Sequence, residues 1–107
     1  MATDEVIILI TASSGDEAVK IATALVNEHL AACVNILPEV RSLFFWEGRT
    51  QDAREVFLIC KGRLPLVEKL IIRVKELHSY TVPEIVAIPI VAGSQEYLDW
   101  VRKTVKA

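Results

Sequence analysis

"CVNILPEVRSLFFW", residues 33–46, is the stretch that decides the fold. It is 14 residues long, and only the polar "EGRTQD", residues 47–52, parts it from a second apolar run, "AREVFLICKG", residues 53–62. The hexapeptide with Gly48 reads as the loop of a β-hairpin. Successive side chains on a strand point to opposite faces. Phe44 and Trp46 therefore face one way, Leu43 and Phe45 the other, and both faces are apolar. At a rise of ~3.3 Å per residue the first arm reaches roughly 45 Å, whereas ordinary strands hold about 5–6 residues. Its far half must project beyond any covering helices and show aromatic rings beside an unpaired edge, a template for aggregation. A soluble chain avoids this by pairing that edge with another copy, so the expectation is a closed, symmetric oligomer.

The flanks supply the rest of the fold. Residues 6–12, "VIILITA", form a short apolar run suited to a strand buried on both faces. In "SSGDEAVKIATALVNEHLAA" the apolar positions Ala18, Ile21, Ala22, Leu25, Val26 and Leu30 follow helical spacing. Ser14 with Glu17 fits a capping box, and Asp16 and Glu17 suit the positive end of the helix dipole. "LPLVEKLIIRVKELHSY" reads as a second helix with Val67, Leu70, Ile71, Val74 and Leu77 on one face, Pro65 in its first turn and Pro83 beyond its end. "EIVAIPIV", residues 84–91, is a further strand. "SQEYLDWVRKTVKA" is a last helix capped by Ser94, with Arg102, Lys103 and Lys106 near its negative end.

The order β-α-β-β-α-β, with right-handed crossovers and a terminal helix, predicts an α+β, ferredoxin-like sandwich with a long hairpin between its second and third strands. The uniformly apolar "VIILI" and "VFLIC" take the centre of the sheet, and the strands carrying Pro38 and Pro89 take the edges, because proline cannot donate to a ladder.

All 107 residues read as a single domain, 52% hydrophobic and 24% charged, with a net charge of −2. No clustered basic face points to nucleic acid, and no apolar run is long enough to span a membrane. "MATDEV" lacks the basic and apolar regions of a signal peptide, so a cytoplasmic location is expected. Cys33 and Cys60 sit in apolar runs and read as two buried, reduced thiols without metal-ligand spacing. No nucleophile elbow, phosphate-binding loop, HExxH or dinucleotide fingerprint is present, so an enzyme has no support from motifs.

Four ordered stretches, "LAACVNI", "SLFFWEG" followed by "REVFLICK", "HSYTVPEI" and "YLDWV", resemble the CutA family of divalent-cation tolerance proteins from about residue 6 to residue 101. The resemblance implies a homotrimer with PII-like architecture whose long hairpins pair between subunits, and a link to tolerance of copper and other divalent metals. Some members are reported to hold copper through a cysteine ending the first strand and a histidine pair before the motif tyrosine. The matching positions here are Ile10, Leu77 and His78, so only one of the three ligands remains. The chain also departs from the family at Phe44 and Phe45, where a tyrosine or tryptophan is usual, at Gly62 and Arg63, where threonines are frequent, and at Ser79, where proline is frequent.

The candidate residues each carry two readings. His78 is a helix-end imidazole favoured by the dipole, or a ligand to a divalent metal such as copper; His29 is a boundary residue. Lys61 is solvated or paired with Glu55 or Glu84, or it fixes an anionic group in a cleft between subunits. Tyr80 and Glu84 flank the restricted "TVP" turn and either pack or line that cleft. Trp46 and Trp100 are packing anchors or ligand contacts, and Glu47 and Asp52 are solvated turn residues or oxygen ligands to a hard cation. The expected ligand cleft comprises Lys61, Tyr80, Glu84, Trp46 and Glu55, with His78 as the metal candidate and no cofactor required. The leading expectation is a non-enzymatic trimer that binds a divalent cation or small ligand, with a signalling role like that of PII proteins. A trimeric scaffold for another protein and an enzyme acting on a small substrate are the alternatives.

Overall fold

The structure, a computed structural model, describes residues 4–106. Strand β1 (Glu5–Ala12) leads to helix α1 (Gly15–Asn27), then to β2 (Cys33–Trp46) and β3 (Arg49–Arg63). A 3-10 turn (Leu64–Leu66) precedes α2 (Val67–Leu77), followed by β4 (Ile85–Pro89) and α3 (Gln95–Thr104). The four strands form one sheet in the order β2-β3-β1-β4, antiparallel at each pairing. The two strands without proline occupy the centre, as the ladder argument requires.

One sheet face is closed by helices. Ile8, Ile10, Leu58 and Cys60 meet Ile21 and Leu25 of α1 and Leu70 and Val74 of α2, all buried. Burial raises the Cys60 thiol pKa to about 12, and this inert sulfur behaves as a core hydrophobe. Cys33 departs from the expectation of two buried thiols: it is half-exposed and pairs with Lys61 on the face turned away from the core. Ile7, Leu9, Ile59, Val86 and Ile88 share that second face through the register; α3 closes its end at Glu5, where Arg102 donates to the Glu5 carboxylate at 2.8 Å, while Ile7, Leu9 and Ile59 stay half-buried and Val86 and Ile88 exposed.

The helices begin and end for local reasons. Ser14 Oγ accepts the Glu17 N–H at 3.2 Å, the expected cap. The Glu17 carboxylate, however, takes the N–H of Ser13 at 2.8 Å rather than closing a reciprocal box on Ser14. Pro65 lies in the 3-10 turn, so α2 starts at Val67 and stops at Leu77, where His78 turns extended (φ −84°, ψ 142°). Both bounds are tighter than the 17-residue apolar pattern suggests. Ser94 occupies the cap position of α3 but its side chain makes no capping hydrogen bond. Lys106 lies past the end of that helix, and Ala107 lies outside the described residues.

The hairpin is longer than its sequence reading. Arg49–Asp52 belong to β3, and the turn is Glu47–Gly48 alone. Both turn residues are left-handed, with φ 52° and 78°, as in a type I′ turn whose twist matches its strands. Gly48 adopts this at no steric cost; Glu47 does not. Leu37 pairs with Phe57 but Val40 pairs with Glu55, so β2 carries one residue more than β3 at Pro38. This bulge absorbs the missing proline donor and bends the ribbon. Beyond it Phe44 and Trp46 share the face of Glu55, while Leu43 and Phe45 point to the other side and are 66% and 73% exposed. The molecule measures 44 × 25 × 23 Å, the long axis being that of a ribbon that outruns its helices.

Candidate functional site

The link from α2 to β4 folds over the base of the hairpin and builds one wall of a groove. His78 anchors it. Its side chain is buried, with Nε2 at 2.7 Å from the Thr11 carbonyl and Nδ1 at 3.0 Å from the Tyr80 nitrogen. A carbonyl only accepts and a backbone N–H only donates, so Nε2 carries the proton and Nδ1 accepts. Both ring nitrogens are thereby spent on backbone, and the imidazole pins the link to the end of β1. Glu17 Oε2 lies 3.7 Å from Nδ1, but with Nδ1 accepting there is no ion pair between them.

Glu17 supplies a second pin. Its Oε1 accepts the Ser79 N–H at 2.8 Å, and its Oε2 accepts the Ser13 N–H and hydroxyl at 2.8 and 3.0 Å. Burial works to raise the Glu17 pKa, but these hydrogen bonds outweigh it and bring the group from 4.5 down to about 2.

Held at both ends, Tyr80 tilts against the His78 ring, with centroids 4.8 Å apart. Its hydroxyl donates to Glu55 Oε2 at 2.9 Å. Burial first, and then the Glu55 bond, raise the phenol pKa to about 12. Glu55 is only 6% exposed.

Between this wall and the hairpin lies a groove of about 930 Å3, lined by Thr11, Phe44, Trp46, Glu55, Tyr80 and Glu84 among others. Four of the five expected cleft residues (Trp46, Glu55, Tyr80 and Glu84) therefore meet at one place. The fifth, Lys61, does not line this groove. Its ammonium donates to Asn35 Oδ1 and lies 4.0 Å from Cys33 Sγ, and it pairs with neither Glu55 nor Glu84. Arg41 and Arg49 reach the groove as well; Arg41 is held by Asp52 through two hydrogen bonds of 3.0 and 2.6 Å. Asp52 is thus a strand residue in an ion pair rather than part of a turn.

Ile10 is fully buried and Leu77 packs against the core, so the positions matched to copper ligands are filled by hydrocarbon. Among the described residues no three His, Cys, Asp or Glu side chains are placed to hold a metal ion. Trp100 lies away from the groove on α3, its ring 5.6 Å from that of Tyr97. His29 adopts φ 61° at the end of α1 and its Nδ1 contacts the Thr104 carbonyl at 3.1 Å, which makes it a boundary residue.

Thr11, Ser13, Glu17 and Ser79 were invisible as site residues in the sequence. Glu17 carried a signal only for its cap; its second oxygen reaches a residue 62 positions away, which no local pattern encodes.

Comparison with known proteins gives a consistent result. The family model described as CutA1 divalent ion tolerance protein matches residues 6–104. The divalent-cation tolerance protein CutA of Thermus thermophilus is 50% identical over 99 residues, covering 92% of this chain and 96% of that protein. CutA of Archaeoglobus fulgidus is 48% identical with the same coverage. The chloroplastic CutA of Arabidopsis thaliana is 40% identical, and the match covers 94% of this chain but only 56% of that protein. Among solved structures, the Thermus thermophilus protein superposes with a TM-score of 0.94 at 49% identity, over 95% of this chain and 99% of that one. The Archaeoglobus fulgidus structure gives 0.92 at 45% identity, with the same shares covered.

Proposed function

The chain belongs to the CutA1 family of divalent ion tolerance proteins, and on that premise we propose that it works as a homotrimer in the tolerance of divalent metal ions. It does so without enzymatic chemistry, by taking a cation or small ligand into grooves between subunits, in the manner of the PII signalling proteins.

The observation that carries this reading is the partly open second face of the sheet, continued by a ribbon apolar on both sides. Val86 and Ile88 on that face, and Leu43 and Phe45 at the ribbon, are exposed, and Ile7, Leu9 and Ile59 are only half-buried. An exposed apolar area of this kind marks an interface. The sheet also ends in two different edges, β2 and β4. Pairing one kind of edge with the other is a heterologous contact, which closes into a ring when the rotation allows. The groove beside the ribbon then lies where a neighbouring chain arrives.

Sedimentation equilibrium at micromolar concentration tests the assembly: a mass of three chains supports it and a monomer overturns it. Calorimetric titration with copper, zinc and common nucleotides tests the binding. No heat from any of them removes the ligand claim and leaves a trimer that serves as a scaffold.

A further inference from the structure

We infer that the groove takes a primary ammonium carried on an unbranched apolar chain, with Glu55 as its anchor. The inference rests on the reading of this groove as the ligand site and chooses between its two ligand classes. A resident metal ion needs three or more closely set donors, and the described residues of a single chain supply no such set of His, Cys, Asp or Glu to this groove. The groove offers other chemistry.

Glu55 is 6% exposed, and one of its oxygens takes the Tyr80 hydroxyl. The other, Oε1, receives no hydrogen bond from a described residue. It is not sealed either, because no fully buried side-chain oxygen among the described residues lacks a partner. Its remaining opening is to the groove that Glu55 lines. A carboxylate so poorly hydrated gains most from a charged donor, since such bonds are about twice as strong as neutral ones.

The surroundings set the rest of the ligand. The Tyr80 ring stands beside the carboxylate. Phe44 lies on the same ribbon face, four residues beyond the Val40 that pairs with Glu55, which is roughly 13 Å along the strand. Trp46 continues the strip. Aromatic faces attract cations and cover alkyl chains. The charges at the groove are Glu47, Glu55 and Glu84 against Arg41 and Arg49, and Arg41 is already neutralised by Asp52. The balance favours a cation, and the distance from Glu55 to the rings favours a chain over a compact ion.

Calorimetry on the intact protein with n-hexylamine, 1,6-diaminohexane and 1-hexanol is the test. Binding of either amine at least tenfold tighter than hexanol supports the inference, and comparing the two amines tells whether one charge or two is read. Glu55→Gln should abolish the tenfold preference, with its melting curve confirming a folded chain, while Tyr80→Phe, which keeps the carboxylate, should retain it. Equal affinity for amines and alcohol, or an undiminished preference in a folded Glu55→Gln protein, overturns the inference. Heat from copper or zinc without heat from either amine overturns it while leaving the groove as a ligand site. Silence from every probe overturns both.

Discussion

The Glu17 carboxylate at the start of α1 accepts the backbone N–H of Ser79 at 2.8 Å, tying the first helix to the link that carries Tyr80 and Glu84. The side chain is 11% exposed, so the bond is poorly screened. Its folded pKa of about 2 lies below the ordinary 4.5, so its stabilisation is complete above pH 4.5 and is lost as pH falls through about 2. At ~1.4 kcal/mol per unit this amounts to about 3 kcal/mol at most. Thermal melts of the Glu17→Gln variant should lie below those of the parent protein at neutral pH, and the gap should close as both are acidified toward pH 2. A gap that does not vary with pH would show that the carboxylate charge is irrelevant.

Tyr80→Phe removes the one donor, among the described residues, to a carboxyl group that is 6% exposed. Leaving such an acceptor unpaired costs about 1–3 kcal/mol, which chemical denaturation measures. In the parent protein the phenol should ionise near pH 12. Its folded pKa is raised, so its contribution is present below pH 10 and is lost as pH rises through 12. Absorbance titration should show this late tyrosine, and the variant should lack it.

Phe45→Glu puts a charge at a ribbon position that is 73% exposed within one chain. Were the chain monomeric, the change would be worth no more than about 0.5 kcal/mol. In a trimer it should dissociate the assembly, seen as a fall in sedimenting mass with the fold retained by circular dichroism.

Leu58→Ala empties a fully buried site between the sheet and its helices. The expected loss is about 2–5 kcal/mol. Val91→Ala, at a position 96% exposed, should change stability by less than about 0.5 kcal/mol. Equal effects at the two positions would place the core elsewhere.

The strand order was legible because Pro38 and Pro89 exclude their strands from the centre, and the ribbon because Pro38 is the one break signal in residues 33–46 and a strand absorbs it as a bulge. Its turn was overestimated because Arg49, Thr50, Gln51 and Asp52 are polar for the sake of solvent and an ion pair, and are nonetheless in strand. Trp46, Glu55, Tyr80 and Glu84 could be named from their motifs, and the fold brings them to one groove. Lys61 lies apart from them beside Asn35, and a residue at a strand end gives no hint in the sequence of which end of the sheet it will share. His78 could be named from the chain, but not the two backbone groups that consume its nitrogens, since one of them lies 67 residues away.

The extra residue at Pro38 has a consequence for how this lineage can change. Substitutions along the ribbon tip alter its chemistry by degrees. Losing one residue at position 38 or 39 would instead invert the parity of everything beyond, exchanging the face of Phe44 and Trp46 with that of Leu43 and Phe45. Descendants can therefore repaint the tip freely, but they cannot shorten its base without exchanging its inside for its outside.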